Sequence, residues 1–218
     1  MEITHKNSER IKAFVEACHT IAAHDLLRYS AGNLSWRWDD GLVALTASRA
    51  WLGELTEQQI AICTLADGRC INGKTPSVES GFHLGILRTR PEVNLVLHFQ
   101  SPYATAVACG NPHEYNFFII PEIPFYIGKI GIVQYLSPGS KELADAVTSA
   151  MAEHNLVILR NHGQVTAGKD FHELLNRPAC SNWPARYYFA NSISQPFRNP
   201  LPMTSSNAHP AHNASCCH

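Results

Sequence analysis

Asn94-Leu-Val-Leu-His-Phe-Gln-Ser-Pro-Tyr-Ala-Thr-Ala-Val107 is the stretch whose reading decides the fold. An apolar run of strand length carries His98 and then breaks at Ser101-Pro102 into a turn, the layout that brings a side chain out of a core. Two other segments offer chemistry that can converge on it. Pro76-Ser-Val-Glu-Ser-Gly-Phe-His83 reads as a helix start bearing Glu79, and Leu156-Val-Ile-Leu-Arg-Asn-His-Gly163 reads as a second buried strand ending at His162. One carboxylate and two imidazoles on rigid elements are the donor set of a divalent ion of zinc type. Glu79, His98 and His162 are therefore the candidate metal ligands.

Taken singly, each has a plainer reading. His98 could be a satisfied core histidine, His162 could close a turn before Gly163, and Glu79 could serve only the positive end of a helix, an effect of about 0.3–1 kcal/mol.

A chain of 218 residues is one domain in size, and its 17 basic and 18 acidic residues leave a net charge of -1. Such a balance argues against binding nucleic acid or an anionic membrane through bulk electrostatics, while small anionic substrates stay open through local basic groups. Met1 to Arg10 is polar, without the apolar core of a signal peptide, and no later run is long enough to cross a bilayer. A soluble cytoplasmic protein is expected. Of the 7 cysteines, Cys18, Cys63, Cys70 and Cys109 lie in or beside apolar segments without metal-ligand spacing, and are expected as buried thiols. Cys216-Cys217, in a polar stretch, is expected to be exposed and prone to oxidation.

Outward from the opening stretch, apolar residues at three- and four-residue intervals predict a helix over 8–28 behind a Ser8 cap. A strand through Leu34 to Trp38, a turn at Asp39-Asp-Gly41 and a strand over Leu42 to Thr46 form a hairpin. A loop over 47–56 leads to a strand over 59–65. Short strands joined by tight turns make this half antiparallel. The spacing then predicts a helix over 77–90, with Glu79 in its first turn and Val78, Phe82 and Ile86 on its inner stripe, stopped by Pro91. After the opening strand come a helix over 101–109, a proline-broken segment over 117–126 carrying Glu122 and Tyr126, a strand over 131–136, a helix from Ser140 to about His154, and a strand over 156–160. Beyond Leu175 prolines recur and periodicity fades. That composition predicts one domain over 1–175 and a disordered or aberrant tail over 176–218, of the kind a changed reading frame leaves, with no packed helix in it.

Five motifs in register, Ala31-Gly-Asn-Leu-Ser35, Pro76-Ser-Val-Glu79, Val96-Leu-His-Phe-Gln100, Tyr135-Leu-Ser-Pro-Gly-Ser140 and Arg160-Asn-His-Gly163, closely resemble the class II aldolase/adducin family over roughly residues 8–175. The resemblance implies an α/β fold of α+β type, with a central, mainly antiparallel sheet flanked by helices, assembled as a homotetramer with sites at subunit boundaries. It implies zinc as cofactor, held by His98 and His162, with Glu79 both approaching the ion and serving as base. The family's further histidine is replaced by Gln100, which shares a strand face with His98 and offers a weaker amide ligand. Asn33 beside Gly32, Ser48 and Ser77 match phosphate-binding positions. Where the family has a second serine this chain has Val78, and Arg49 supplies a compensating charge. Glu122 or Tyr126 is the implied acid for the aldehyde-side oxygen.

The activity so implied is cleavage of a phosphorylated sugar, L-fuculose 1-phosphate, to dihydroxyacetone phosphate and L-lactaldehyde. A sugar-phosphate epimerase of the same family and a non-catalytic adducin-like module are the alternatives.

Overall fold

The computed structural model describes residues 5–191 apart from Asp25, Arg28 and Asp40. Among the described residues seven strands form one sheet in the order β3-β2-β1-β4-β7-β6-β5. These are β1 (Asn33–Arg37), β2 (Leu42–Thr46), β3 (Ile60–Thr64), β4 (Leu95–Phe99), β5 (Gly131–Val133), β6 (Leu156–Leu159) and β7 (Gly163–Gly168). Only the β5–β6 pair is parallel. The fold is thus the expected mainly antiparallel sheet flanked by helices.

The helices are α1 (His5–Ala23), α2 (Ser80–Thr89), α3 (Pro102–Cys109), α4 (Lys141–Met151) and α5 (Phe171–Asn191). Period-two alternation assigns the strand residues to two cores. Leu95, Leu97 and Phe99 join Phe14, Ile21, Val107 and Leu174 on the face covered by α1, α3 and α5. Val96 joins Phe82, Ile86, Val147 and Met151 on the face covered by α2 and α4. Because side chains two apart share a face, His98 points with Val96 towards α2. By the same rule Asn33 and Ser35 lie opposite Leu34, also on the α2 side.

Local chemistry explains the element ends. Asp39 Oδ1 accepts from the backbone N–H groups of Gly41 and Leu42, closing the β1–β2 turn. Ser140 caps α4 by accepting from Leu143 N at 3.1 Å. The Arg37 guanidinium donates to the carbonyls of Leu87, Arg90 and Val93, tying the end of α2 to β1. No helix among the described residues is long and apolar enough to cross a membrane.

Several expectations need correction. Helix α1 begins at His5 and stops at Ala23, so Leu26 and Leu27 pack after the helix rather than within it. Val78 is 66% exposed instead of inward, because α2 starts only at Ser80. Cys18 and Cys63 are buried, but Cys70 is half-buried and Cys109 exposed. Strand β7 had no counterpart among the expected elements; its short run between two glycines lacks the bulky alternation that marks a strand.

The largest correction concerns residues 176–191, which form the body of α5 in spite of Pro178 and Pro184. Tertiary contacts outweigh the roughly 3 kcal/mol that an interior proline costs. Leu174, Pro178, Ser181 and Ala185, at three- and four-residue spacing, are all buried. Asn182 Oδ1 accepts from the N–H groups of Tyr103 and Ala104 at the start of α3, and the Tyr188 hydroxyl donates to Asn116 O at 2.8 Å. The Arg177 guanidinium donates to the carbonyls of Ala167 and Tyr126. The remainder of the expected tail, 192–218, including Cys216-Cys217, lies outside the described residues.

Helices α2 and α4 meet through small side chains. A Cβ on Gly81 would stand 2.9 Å from the Ala144 Cβ. Gly81→Ala is therefore expected to destabilise the fold by about 1–3 kcal/mol in urea unfolding, and adding Ala144→Gly should recover part of that loss.

Candidate metal centre

Four segments meet at the α2 face of β4. Strand β4 delivers His98. The three-residue turn between β6 and β7, with Asn161 at φ 54, delivers His162. The start of α2 delivers Glu79, and β1, paired so that Asn33 faces His98, delivers Asn33. The approach is close enough to require glycine at two places. A Cβ on Gly163 would lie 2.7 Å from Phe99 O and 3.1 Å from the His98 ring, and one on Gly32 would lie 2.9 Å from His98 O.

Glu79 occupies the N-cap position of α2, one residue before the helix begins at Ser80 rather than in its first turn as expected, and its side chain makes no capping hydrogen bond. The plain helix-end reading therefore leaves its carboxylate unexplained. Glu79 Oε2 lies 3.6 Å from His98 Nε2, and Glu79 Oε1 lies 3.3 Å from His162 Nε2. One ligand atom from each of the three lies within 4.8 Å of the others. Donors bonded at about 2.0–2.1 Å around a tetrahedral ion stand about 3.4 Å apart, which matches both carboxylate–imidazole separations. Ordinary hydrogen bonds would be nearer 2.9 Å.

Protonation states and unpaired atoms agree with this donor set. His98 Nδ1 lies 2.9 Å from Gln164 O. Since a carbonyl only accepts, Nδ1 donates to it, and Nε2 is the nitrogen turned to Glu79. Burial, and secondarily His98, pushes the His162 imidazole below its ordinary range, partly offset by Glu79, which favours the neutral ligand form. Glu79 Oε1 is buried with no hydrogen-bond partner, an arrangement that is costly unless something else satisfies the atom. These side chains fit a divalent ion.

Behind the carboxylate runs a buried polar chain. Asn33 Nδ2 donates to Glu79 Oε2 at 2.9 Å, His83 Nε2 meets Asn33 Oδ1 at 2.5 Å, and Ser35 Oγ meets His83 Nδ1 at 2.8 Å. His83 was absent from the expected site. A histidine four residues after Glu79 is the only signal the chain gives, and helical spacing alone cannot separate it from a core residue.

In front lies a pocket of about 270 Å³ lined by Gly32, Asn33, Ser48, Arg49, Ser77, Glu79, His98, Gln100 and His162, with six neighbours. Every residue expected at the phosphate and metal sites therefore faces one cavity. Gln100 lines it beside His98, as strand alternation requires. Asn33 is engaged by Glu79 and His83, so its amide is not free for phosphate. The Ser77 hydroxyl accepts from Glu79 N at 3.3 Å and fixes the turn before α2. All three non-glycine residues with left-handed backbone among those described, Tyr29, Arg49 and Asn161, are in the pocket lining or adjacent to it, where such strain collects.

Glu122 and Tyr126 are the exception, for neither lines the pocket of its own chain. They flank or lie in a single π-helical turn, Ile123–Ile127. The Tyr126 carbonyl accepts from Arg177 on α5, which holds the turn on the opposite side of the sheet from α2.

Residues 12–189 match the family described as Class II Aldolase and Adducin N-terminal domain. A 3-oxo-tetronate 4-phosphate decarboxylase of Haemophilus influenzae is 32% identical over 162 residues, 73% of each chain. An L-fuculose phosphate aldolase of Methanococcus vannielii is 36% identical over 163 residues, 75% of this chain and 86% of its own. The solved structure of YgbL from Escherichia coli, assigned as an aldolase, epimerase or decarboxylase, superposes with a TM-score of 0.80 at 26% identity, covering 89% of this chain and 94% of that one. The chain belongs to the class II aldolase and adducin family, whose enzymes depend on divalent metals.

Burial pushes the His83 imidazole down to about 3 from an ordinary 6.5, with His98 adding to the effect. Between those values the unfolded chain binds a proton that the folded chain excludes, so stability falls as pH falls through that window. In metal-free protein this group should contribute a slope of at most about 1.4 kcal/mol per pH unit. Urea midpoints at pH 7, 6 and 5 should fall less steeply for His83→Leu than for the unsubstituted chain.

Proposed function

We propose that this chain is a metal-dependent aldolase that splits a ketose 1-phosphate, L-fuculose 1-phosphate, into dihydroxyacetone phosphate and L-lactaldehyde. The observation that carries this reading is the Glu79–His98–His162 cluster, spaced for one ion, at the floor of a pocket whose rim carries Ser48 and Arg49. A volume of about 270 Å³ is at the small end for ligand sites and suits a short sugar phosphate.

In this reading His98 and His162 hold zinc, with Glu79 and the weaker Gln100 amide beside them. Bound there, zinc supplies Lewis-acid stabilisation of negative charge developing on substrate oxygens, an effect worth several kcal/mol. The rest is done by side chains. Asn33 keeps Glu79 Oε2 fixed, which leaves Oε1 to take up and return the proton at the carbon next to the carbonyl. A positioned base of this kind contributes roughly a hundred- to ten-thousand-fold. Arg49, Ser48 and the Ser77 hydroxyl orient the phosphate; a guanidinium can hold two of its oxygens at once. Glu122 and Tyr126 keep a role as acid only through a second copy of the chain, so the reading includes a homotetramer whose subunits complete one another's sites. A cytoplasmic setting accompanies it.

The Haemophilus relative favours a second reading, decarboxylation of a 3-oxo-tetronate 4-phosphate. That reaction also breaks a carbon–carbon bond beside a carbonyl and leaves an electron pair to be protonated, so Glu79 would serve both. Product analysis separates them. Dihydroxyacetone phosphate released from L-fuculose 1-phosphate supports the aldolase, and carbon dioxide released from the keto acid supports the decarboxylase. Turnover of neither, with no bound metal, overturns both and leaves a binding module.

Glu79→Gln is expected to lower turnover by roughly a hundred- to ten-thousand-fold, and removing the ion with a chelator should abolish it. Gln100→His should tighten zinc binding in a competition titration, because imidazole is the better zinc donor. Unchanged affinity would remove Gln100 from the ligand set.

A further inference from the structure

Ser35 and His83 are both completely buried between β1 and α2, in a layer otherwise built from Val96, Phe82 and Ile86. Polar groups in such a layer are expensive unless every one is paired. Here the pairing forms a single line, Ser35 Oγ to His83 Nδ1 at 2.8 Å, His83 Nε2 to Asn33 Oδ1 at 2.5 Å, and Asn33 Nδ2 to Glu79 Oε2 at 2.9 Å.

Chemistry dictates the direction of that line. A carboxylate only accepts, so Asn33 must present its NH2 to Glu79 and its oxygen to His83. An amide oxygen also only accepts, so His83 must donate from Nε2. Its Nδ1 is then a lone pair, which the Ser35 hydroxyl satisfies as donor. Each link selects one of two orientations available to the next group. Without a donor facing Oδ1, that buried amide oxygen would be left unpaired, and the Asn33 side chain would lose the contact that holds its NH2 against the carboxylate.

The geometry points to His83 as a positioning residue: acting through Asn33, it decides that Glu79 Oε2 is tied to the protein and that Oε1 faces His162 and the pocket. This deepens the metal-dependent reading above and rests on it for its consequence. His83 itself touches neither pocket nor ion ligand by hydrogen bond, so its effect travels through one amide.

Cobalt(II) titration of the full chain, with visible absorption of the bound ion, tests the proposal without any substrate. His83→Leu should bind cobalt roughly 10- to 100-fold more weakly, the range for partners that orient metal ligands, and its absorption bands should change. His83→Gln, which restores an N–H at the Nε2 position, should recover both affinity and spectrum. Asn33→Ala should lose affinity as His83→Leu does, and the double variant should lose no more than either alone. Wild-type binding and spectrum in His83→Leu, or a double variant whose losses multiply, would overturn the assignment.

A second measurement needs no ion. In the metal-free protein the Asn33 side-chain NH2 should be protected from solvent exchange, and His83→Leu should remove that protection; equal protection in the two proteins would overturn the proposal. If the unsubstituted chain binds no cobalt, the metal reading fails on that result, while the comparison of Asn33 exchange still decides the part played by His83.

Discussion

The contact on which the site depends is the approach of a helix-start carboxylate to the imidazole of a central strand, Glu79 Oε2 to His98 Nε2 at 3.6 Å. Neither side chain is placed by its neighbours in sequence alone. His98 reaches that point because β4 lies in the middle of the sheet and its residues alternate between two cores. Glu79 reaches it because α2 packs on the same face, anchored at its far end by Arg37. One carboxylate oxygen at this junction has no hydrogen-bond partner, and both carboxylate–imidazole separations, 3.6 and 3.3 Å, are longer than ordinary hydrogen bonds.

Two layers of polar groups surround this contact. On the inner side, Asn33, His83 and Ser35 form a dry, directional chain that holds one carboxylate oxygen. On the outer side, Ser48, Arg49, Ser77 and Gln100 line the pocket. The carboxylate is the boundary between them, one oxygen held by Asn33 and the other buried without a hydrogen-bond partner.

Membership of the class II aldolase and adducin family accounts for the sheet and for a metal centre, but the family contains more than one reaction. The aldolase and decarboxylase relatives share a step, cleavage of a carbon–carbon bond next to a carbonyl, and differ in what leaves. Arg49, Val78 and Gln100 line the pocket beside the three clustered side chains. Glu122 and Tyr126, with the turn held on the far side of the sheet by Arg177, line no part of the pocket.

The amino-acid sequence by itself determined the strands with clear alternation, the Asp39 turn and the Ser140 cap, and it singled out Glu79, His98 and His162, which the fold brings together, because each rests on local periodicity or on motifs a few residues long. It also placed Ser48, Arg49 and Ser77 on one pocket by resemblance. Other features were decided only in three dimensions. Helix α5 runs through two prolines because Asn182, Tyr188 and Arg177 find partners on α3, the 111–127 segment and β7, and no local propensity reports those contacts. His83 belongs to the site because β1 brings Ser35 and Asn33 beneath it, a consequence of the Asn33–His98 register. A hydrogen-bond network joins groups by distance and direction across the fold, and neither quantity is written in the order of residues along the chain.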